Sequence, residues 1–308
     1  MTIRIAIVGL GKIARDEHVP AIAADPRFEL VAAVGPRLAP TAELPAYKSV
    51  GELVEAIGGK LDAVAVCTPP GIRHGIVCEA LAAGLHVLLE KPPTATLGEI
   101  EDLERRALAV GRSLFTAWHS QHNAAVAAAR AAVAGQDVRR LRIEWFEDVR
   151  KWHQGQEWIW APGGFGVFDP GINALSIASR VLPSPLFVRE ATLRFPSNKQ
   201  TPIAASLAFA GESGAFTAEF DWRCGEGERW TIAIETADGK TMELIDGGAK
   251  LLVDGRLQIP GARREYPSIY DRFAELVQAG RSEVDREPLR LVADAFLVGR
   301  REAVDAFA

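Results

Sequence analysis

Two rhythms divide the chain. Up to residue 117, short unbroken apolar runs alternate with longer segments of helical period. Ile3–Val8, Phe28–Val34, Ala63–Cys67, His86–Leu89 and Ser113–Ala117 read as strands buried on both faces of a parallel sheet. Helices are predicted between them at Ile13–Ala24, Ser49–Ile57, Arg73–Ala83 and Leu97–Gly111, with Pro20 interrupting or shifting the first. Gly84 suits the position just past a helix end, and the 97–111 segment carries acids early and arginines late, as the helix dipole favours. Regular strand–helix alternation specifies a doubly wound, Rossmann-type α/β domain.

Beyond this the period changes. Leu141–Val149 alternates, with Leu141, Ile143, Trp145 and Glu147 on one face and Arg142, Glu144, Phe146 and Asp148 on the other. Further strands are predicted at Glu190–Phe195, Ala204–Phe209, Ala215–Trp222, Trp230–Glu235, Thr241–Ile245 and Lys250–Val253. Asp238-Gly239 and Asp254-Gly255 mark antiparallel hairpins. A helix opens at Asp169-Pro170 and runs to Arg180, with Asp as a good N-cap and Pro at the first helical position. Helices at Ser268–Ala279 and Leu289–Val304 close the chain. The expected domains are 1–120 and 121–308, with the 289–304 helix able to pack back on the first.

With 308 residues, 48% hydrophobic and 24% charged, the chain matches a globular protein with a large core. Its net charge of −5 and lack of a basic run argue against nucleic acid or an anionic membrane as partner. Cys67, Cys78 and Cys224 have no metal-ligand spacing and read as reduced cysteines of a cytoplasmic protein. No apolar run has membrane-spanning length, and the first one enters a glycine turn directly, unlike a signal peptide.

The chemistry gathers at predicted strand ends. Ile3–Val8 leads into Gly9-Leu10-Gly11-Lys12-Ile13-Ala14, a G-x-G-x-x-A dinucleotide fingerprint. Gly9 allows the tight turn, Gly11 the approach of a pyrophosphate, and Ala14 close helix–sheet packing. Gly35-Pro36-Arg37 follows the second strand without a carboxylate to hold a ribose diol, and Arg37 suits a 2′-phosphate. NADP is therefore favoured over NAD, with both expected to bind. Val87-Leu88-Leu89 runs into Glu90-Lys91-Pro92, which points Lys91 at the ligand-binding end of the sheet.

The glycine turn, Thr68-Pro69-Pro70 and Glu90-Lys91-Pro92 together resemble the Gfo/Idh/MocA oxidoreductases. The resemblance spans essentially the whole chain. It implies an N-terminal Rossmann domain and a C-terminal α+β domain built on a large, mostly antiparallel sheet. Trp118-His119-Ser120, Glu147-Asp148-Val149-Arg150, Trp152-His153 and Phe168–Leu175 are similar to the family's aldose 1-dehydrogenase branch, which acts on L-arabinose and D-galactose. Lys91 is then expected beside the nicotinamide, with Lys12, Ile13, Thr68, Pro69, Pro70, His74 and Glu90 joining Gly9, Gly11 and Arg37 in cofactor binding. Where much of the family has a D-x-x-x-H helix, this chain has Asp169 and Asn173. An amide is no base near neutral pH, so that role shifts to Asp169, assisted by Lys91, while Asn173 holds the C1 hydroxyl. Asp169 as a simple helix cap is the alternative.

His119, Glu147, Trp152 and His153 are the expected readers of the other hydroxyls, in a tryptophan-dense stretch suited to a pyranose. Alternatives are a solvated strand end for Glu147 and plain core packing for Trp158 and Trp160. His119 and His122 stand three apart, but no third ligand supports a metal. The expected activity is oxidation of an aldose at C1 to the lactone by a homodimer or homotetramer. Another sugar or polyol dehydrogenase, or a non-catalytic dinucleotide sensor, are the competing readings.

Overall fold

The computed structural model describes residues 2–41, 44–210, 215–261 and 264–308, which divide into two compact units. The first comprises residues 1–118 and 266–286; the second comprises 119–265 and 287–308. None of the helices is long and apolar enough to cross a membrane among the described residues.

The first unit holds a six-stranded parallel sheet in the order β3-β2-β1-β4-β5-β6. Its strands are β1 (Ile3–Val8), β2 (Phe28–Val34), β3 (Ala46–Tyr47), β4 (Ala63–Val66), β5 (His86–Glu90) and β6 (Leu114–Ala117). This is the doubly wound order, whose direction reverses between β1 and β4. The connecting helices are α1 (Val19–Ala24), α2 (Val50–Ile57), α3 (Arg73–Ala82) and α4 (Leu97–Ala109). Local chemistry sets their ends. Ser49 Oγ accepts from the Glu52 amide at the start of α2, and Thr96 and Glu99 cap α4 reciprocally. The helix expected at 13–24 begins as a π-helical turn, Ala14–His18, and becomes α-helical at Val19. Pro20 falls in the first α-helical turn, where a missing N–H is tolerated.

A late segment completes this unit. Helix α8 (Glu265–Ala279) packs Tyr266, Ile269, Tyr270, Phe273 and Leu276 against Ile3, Ile5, Ile7 and Phe28. Beyond it, Glu283 exchanges backbone hydrogen bonds with Leu114 and Thr116 beside β6. The returning segment is thus 266–286. The helix expected at 289–304 is instead α9 (Glu287–Val298) followed by strand β15 (Arg300–Val304), both in the second unit. Gly299 breaks the two apart, and exposed and half-buried positions alternate from Arg301 to Val304 like an edge strand.

The second unit is built on a nine-stranded mixed sheet, β14-β13-β12-β11-β7-β10-β9-β8-β15. Besides β15 these are β7 (Val138–Phe146), β8 (Phe187–Pro196), β9 (Ala204–Ala210), β10 (Ala215–Asp221), β11 (Arg229–Thr236), β12 (Thr241–Ile245), β13 (Lys250–Val253) and β14 (Arg256–Ile259). All pairs are antiparallel except β7–β10 and β8–β15. Helices α5 (Ala124–Val133), α7 (Phe168–Val181) and α9 pack with this sheet, and α6 (Val149–Trp152) is a single turn. β7 ends at Phe146, so Glu147 lies just past a strand rather than within one, and Asp148 caps α6.

Phe273 on α8 is fully buried and stacks with Phe28 at 6.3 Å and Phe115 at 6.5 Å between ring centroids. Phe273→Ala is expected to destabilise the protein by about 3–5 kcal/mol, read from the midpoint of urea unfolding.

Candidate active site

In the first unit the polar residues of interest lie at the carboxyl ends of the strands. β1 enters Gly9 at φ +90°, a left-handed conformation that glycine tolerates. A Cβ there would stand 2.8 Å from Thr68 Cγ2 and 2.9 Å from the Thr68 amide nitrogen, so the turn rests directly on the loop after β4. At Gly11 a Cβ would meet nothing within 4 Å, leaving that backbone open to a phosphate. Thr68 Oγ1 is buried without a hydrogen-bond partner among the described residues. An open glycine backbone beside an unsatisfied buried hydroxyl fits a bound dinucleotide.

Lys12 and Ile13 are exposed on this turn, with Lys12 paired to Asp16. Pro69 is exposed and Pro70 buried at the start of the 70–72 turn, and Arg37 is exposed in the turn after β2. His74 Nε2 lies 2.9 Å from Asp102 Oδ2 on α4. His74, Cys78 and Asp102 stand close enough to share a cation, a grouping hidden from spacing because Asp102 comes from another helix. Arg105 and Arg106 already hold that carboxylate, and burial pushes the Cys78 thiol up, away from the thiolate a metal requires.

Glu90 and Lys91 sit at the end of β5. Glu90 is 2% exposed; its Oε2 accepts from the Lys91 amide at 2.8 Å, and its Oε1 accepts from the Tyr266 hydroxyl at 2.7 Å. His18 Nε2 lies 3.1 Å from the same Oε1, and His18 Nδ1 lies 2.8 Å from the Tyr270 hydroxyl. Buried Arg73 binds the Glu90 and Pro92 carbonyls, and the Thr68 carbonyl at 2.6 Å. The glycine turn, the Thr68 loop and the Lys91 segment are therefore tied together. Sequence reasoning missed Arg73, His18, Tyr266 and Tyr270. They carry no local signal, since each stands among other polar residues and its partners lie far away in the chain.

In the second unit the chemistry surrounds a buried carboxylate pair. Asp169 is 4% exposed and lies in the first turn of α7, which opens at Phe168 with Val167 as its N-cap. Asp169 is thus not the cap that Asp-Pro implied; it is a helix residue, with half-buried Asn173 one turn on. His153 Nε2 stands 3.6 Å from Asp169 Oδ2 and 3.9 Å from Glu147 Oε1. Glu147, 6% exposed, accepts from the Trp222 indole on Oε1 and the Trp230 indole on Oε2, both at 3.1 Å. The His153 and Trp222 rings pack with centroids 5.0 Å apart. Glu147, His153 and Asp169 thus meet, supported by two tryptophans that sequence reasoning did not single out.

Trp152 adjoins that group through Trp230, with ring centroids 5.9 Å apart. It is 39% exposed and its indole donates to Glu228 at 2.6 Å. Trp160 packs between Trp222 and Phe307. His119 Nδ1 lies 3.3 Å from Glu265 Oε1, which also accepts from Asn123.

Residues 3–117 match the profile of an oxidoreductase family with an NAD-binding Rossmann fold. The galactose 1-dehydrogenase of Pseudomonas fluorescens is 49% identical to the chain, over 99% of this chain and 98% of that one. The chain belongs to the Gfo/Idh/MocA oxidoreductase family. The crystal structure of a D-galactose-1-dehydrogenase from Rhizobium etli superposes with a TM-score of 0.94 at 49% identity, covering 100% of this chain and 98% of that one. A dTDP-3,4-didehydro-2,6-dideoxy-alpha-D-glucose 3-reductase of Streptomyces violaceoruber is 27% identical over 99% of this chain and 94% of its own.

The electrostatics of this family member centre on His18. Burial alone would lower its pKa, but the acidic groups around it, Cys67, Tyr270 and Glu90, hold it well above its ordinary value. Burial pushes Tyr270 up to about 12, so near neutral pH its hydroxyl is uncharged, and the upward pull on His18 comes from Cys67 and Glu90. A raised folded-state pKa gives stability that is complete below the unfolded value and disappears as pH rises through the folded one. His18→Gln should therefore lose most stability against the native protein in mildly acidic buffer. The gap should narrow as pH rises through the folded pKa, as followed by urea unfolding across pH.

Proposed function

We propose that the protein is an aldose 1-dehydrogenase that oxidises D-galactose, L-arabinose or both at C1 to the lactone and passes hydride to NADP⁺ or NAD⁺. The observation that carries this reading is the buried Asp169 carboxylate, one helical turn from Asn173 and beside His153 and Glu147. Such a cluster suits a polyhydroxylated ligand and offers a base for one of its hydroxyls. The full-length similarity to two galactose dehydrogenases supports the same substrate class.

A nicotinamide dinucleotide held by Gly9, Gly11 and the Thr68 loop supplies the hydride acceptor. Asp169 accepts the proton of the anomeric hydroxyl, directly or through Lys91 or a water, and Asn173 holds that hydroxyl by its amide. Base assistance of this kind contributes about 10²–10⁴ in rate. His153 and Glu147 bind the remaining hydroxyls. Because the Glu147 oxygens also take two indole N–H groups, its carboxylate has a fixed direction before sugar binds. His119 and Trp152 complete the sugar contacts in this reading. Arg37, exposed after β2, binds the 2′-phosphate of NADP. Along β9 and β11, buried positions alternate with half-exposed ones, which supports association into a homodimer or homotetramer through that sheet face.

The test is the sugar-dependent growth of reduced-nicotinamide absorbance with D-galactose or L-arabinose and either dinucleotide. No reduction with any of the four pairs would refute the assignment. Asp169→Asn should lower kcat by about 10²–10⁴ while dinucleotide affinity stays unchanged, which separates loss of the base from loss of fold. Arg37→Ala should raise KM for NADP⁺ about tenfold and leave that for NAD⁺ within about twofold, since only the phosphate loses a charge-assisted hydrogen bond.

A further inference from the structure

Glu90 takes no part in the proton path above, yet it is buried with a histidine in an otherwise apolar core. Removing a carboxylate and an imidazolium from water costs several kcal/mol each, and apolar residues of similar size often serve stability as well. The pair therefore calls for a role besides stability, and the geometry identifies one. Glu90 Oε2 holds the amide of its own successor, Lys91, at 2.8 Å. Its Oε1 is held by the Tyr266 hydroxyl at 2.7 Å and lies 3.1 Å from His18 Nε2. His18 is anchored in turn by Tyr270 at 2.8 Å. On the other side, Arg73 binds the carbonyls of Glu90 and Pro92. The backbone around Lys91 is thus held through its N–H and through the carbonyls before and after it.

We propose that Tyr270, His18, Glu90 and Tyr266 form one buried hydrogen-bonded chain that positions Lys91, with Glu90 as the bridge. As an imidazolium, His18 donates from both ring nitrogens, one to Tyr270 and one to Glu90, and sets a positive charge against the Glu90 carboxylate; as a neutral ring it donates to Glu90 from Nε2 and accepts from the Tyr270 hydroxyl at Nδ1. The titratable groups facing His18 are Cys67 after β4, Glu90 on β5 and Tyr266 and Tyr270 on α8, with Lys91 next in sequence to Glu90. Loss of the proton keeps both hydrogen bonds but removes the charge assistance from the His18–Glu90 link, which weakens it. Lys91 placement then becomes dependent on pH through a residue that touches neither sugar nor dinucleotide.

This inference rests on Lys91 acting in aldose oxidation, and the test separates the two. Tyr266→Phe removes one oxygen and keeps the packing. With D-galactose, kcat should fall about tenfold while KM and the NAD⁺ and NADP⁺ dissociation constants stay within about twofold. The midpoint of the kcat–pH profile should move by about half a unit or more. His18→Gln, which keeps a donor but loses the charge, should shift the profile further. A variant with lower urea stability but unchanged kcat and pH profile would overturn the proposal. ¹⁵N NMR of histidine-labelled native protein without sugar gives a reading independent of turnover. His18 should stay an imidazolium above neutral pH. An ordinary titration of His18 would refute the proposal even in an enzyme that turns over D-galactose, whereas absence of turnover with a persistent imidazolium would refute only the substrate assignment.

Discussion

A parallel sheet covered on both faces has almost no place for a polar side chain except at its ends, and the first unit follows from that constraint. β1, β4 and β5 are buried nearly throughout, so their functional residues appear where each strand stops: Gly9 after Val8, Thr68 after Val66 and Cys67, Glu90 and Lys91 after Leu89. Register brings these ends together. Val66 pairs with both Val8 and Leu89, which sets the glycine turn, the Thr68 loop and the Glu-Lys-Pro segment side by side. Arg73 then joins two of the three through their carbonyls. The arrangement needs no flexible loop to assemble it.

The second unit meets a different problem, the burial of carboxylates away from any such edge. Glu147 and Asp169 are each almost inaccessible, and a buried carboxylate persists only with donors around it. Trp222 and Trp230 provide indole N–H groups to Glu147, and His153 lies within ion-pair distance of both acids. The tryptophans thereby do two things. Trp222 fills the core while half-buried Trp230 lies on β11, and together they set the directions in which the remaining lone pairs face.

Much of this was legible in the linear chain wherever the signal was local. The G-x-G-x-x-A turn, the buried strands, the Ser49 and Thr96 caps and the alternating face ending in Glu147 depend on residues within a few positions of one another. The helix ends that failed were also local contests. Asp169 looked like a cap because Asp-Pro commonly is one, but the backbone turns helical one residue earlier and draws Asp169 into the first turn. Leu289–Val304 read as one helix because its apolar spacing continues past Gly299; pairing with β8 made its last residues a strand.

The sequence by itself determined the fold class, the dinucleotide-binding end of the first sheet and the residue types able to move a proton or hold a hydroxyl, since period, turn chemistry and motif spacing are short-range properties. Only the tertiary structure decided which distant residues complete those motifs. Tyr266 and Tyr270 reach Glu90 and His18 across 176 and 252 positions of sequence, and Trp222 and Trp230 reach Glu147 across 75 and 83. A buried charge recruits whichever donors the packing brings to it, and packing depends on the path of the whole chain rather than on any stretch of it.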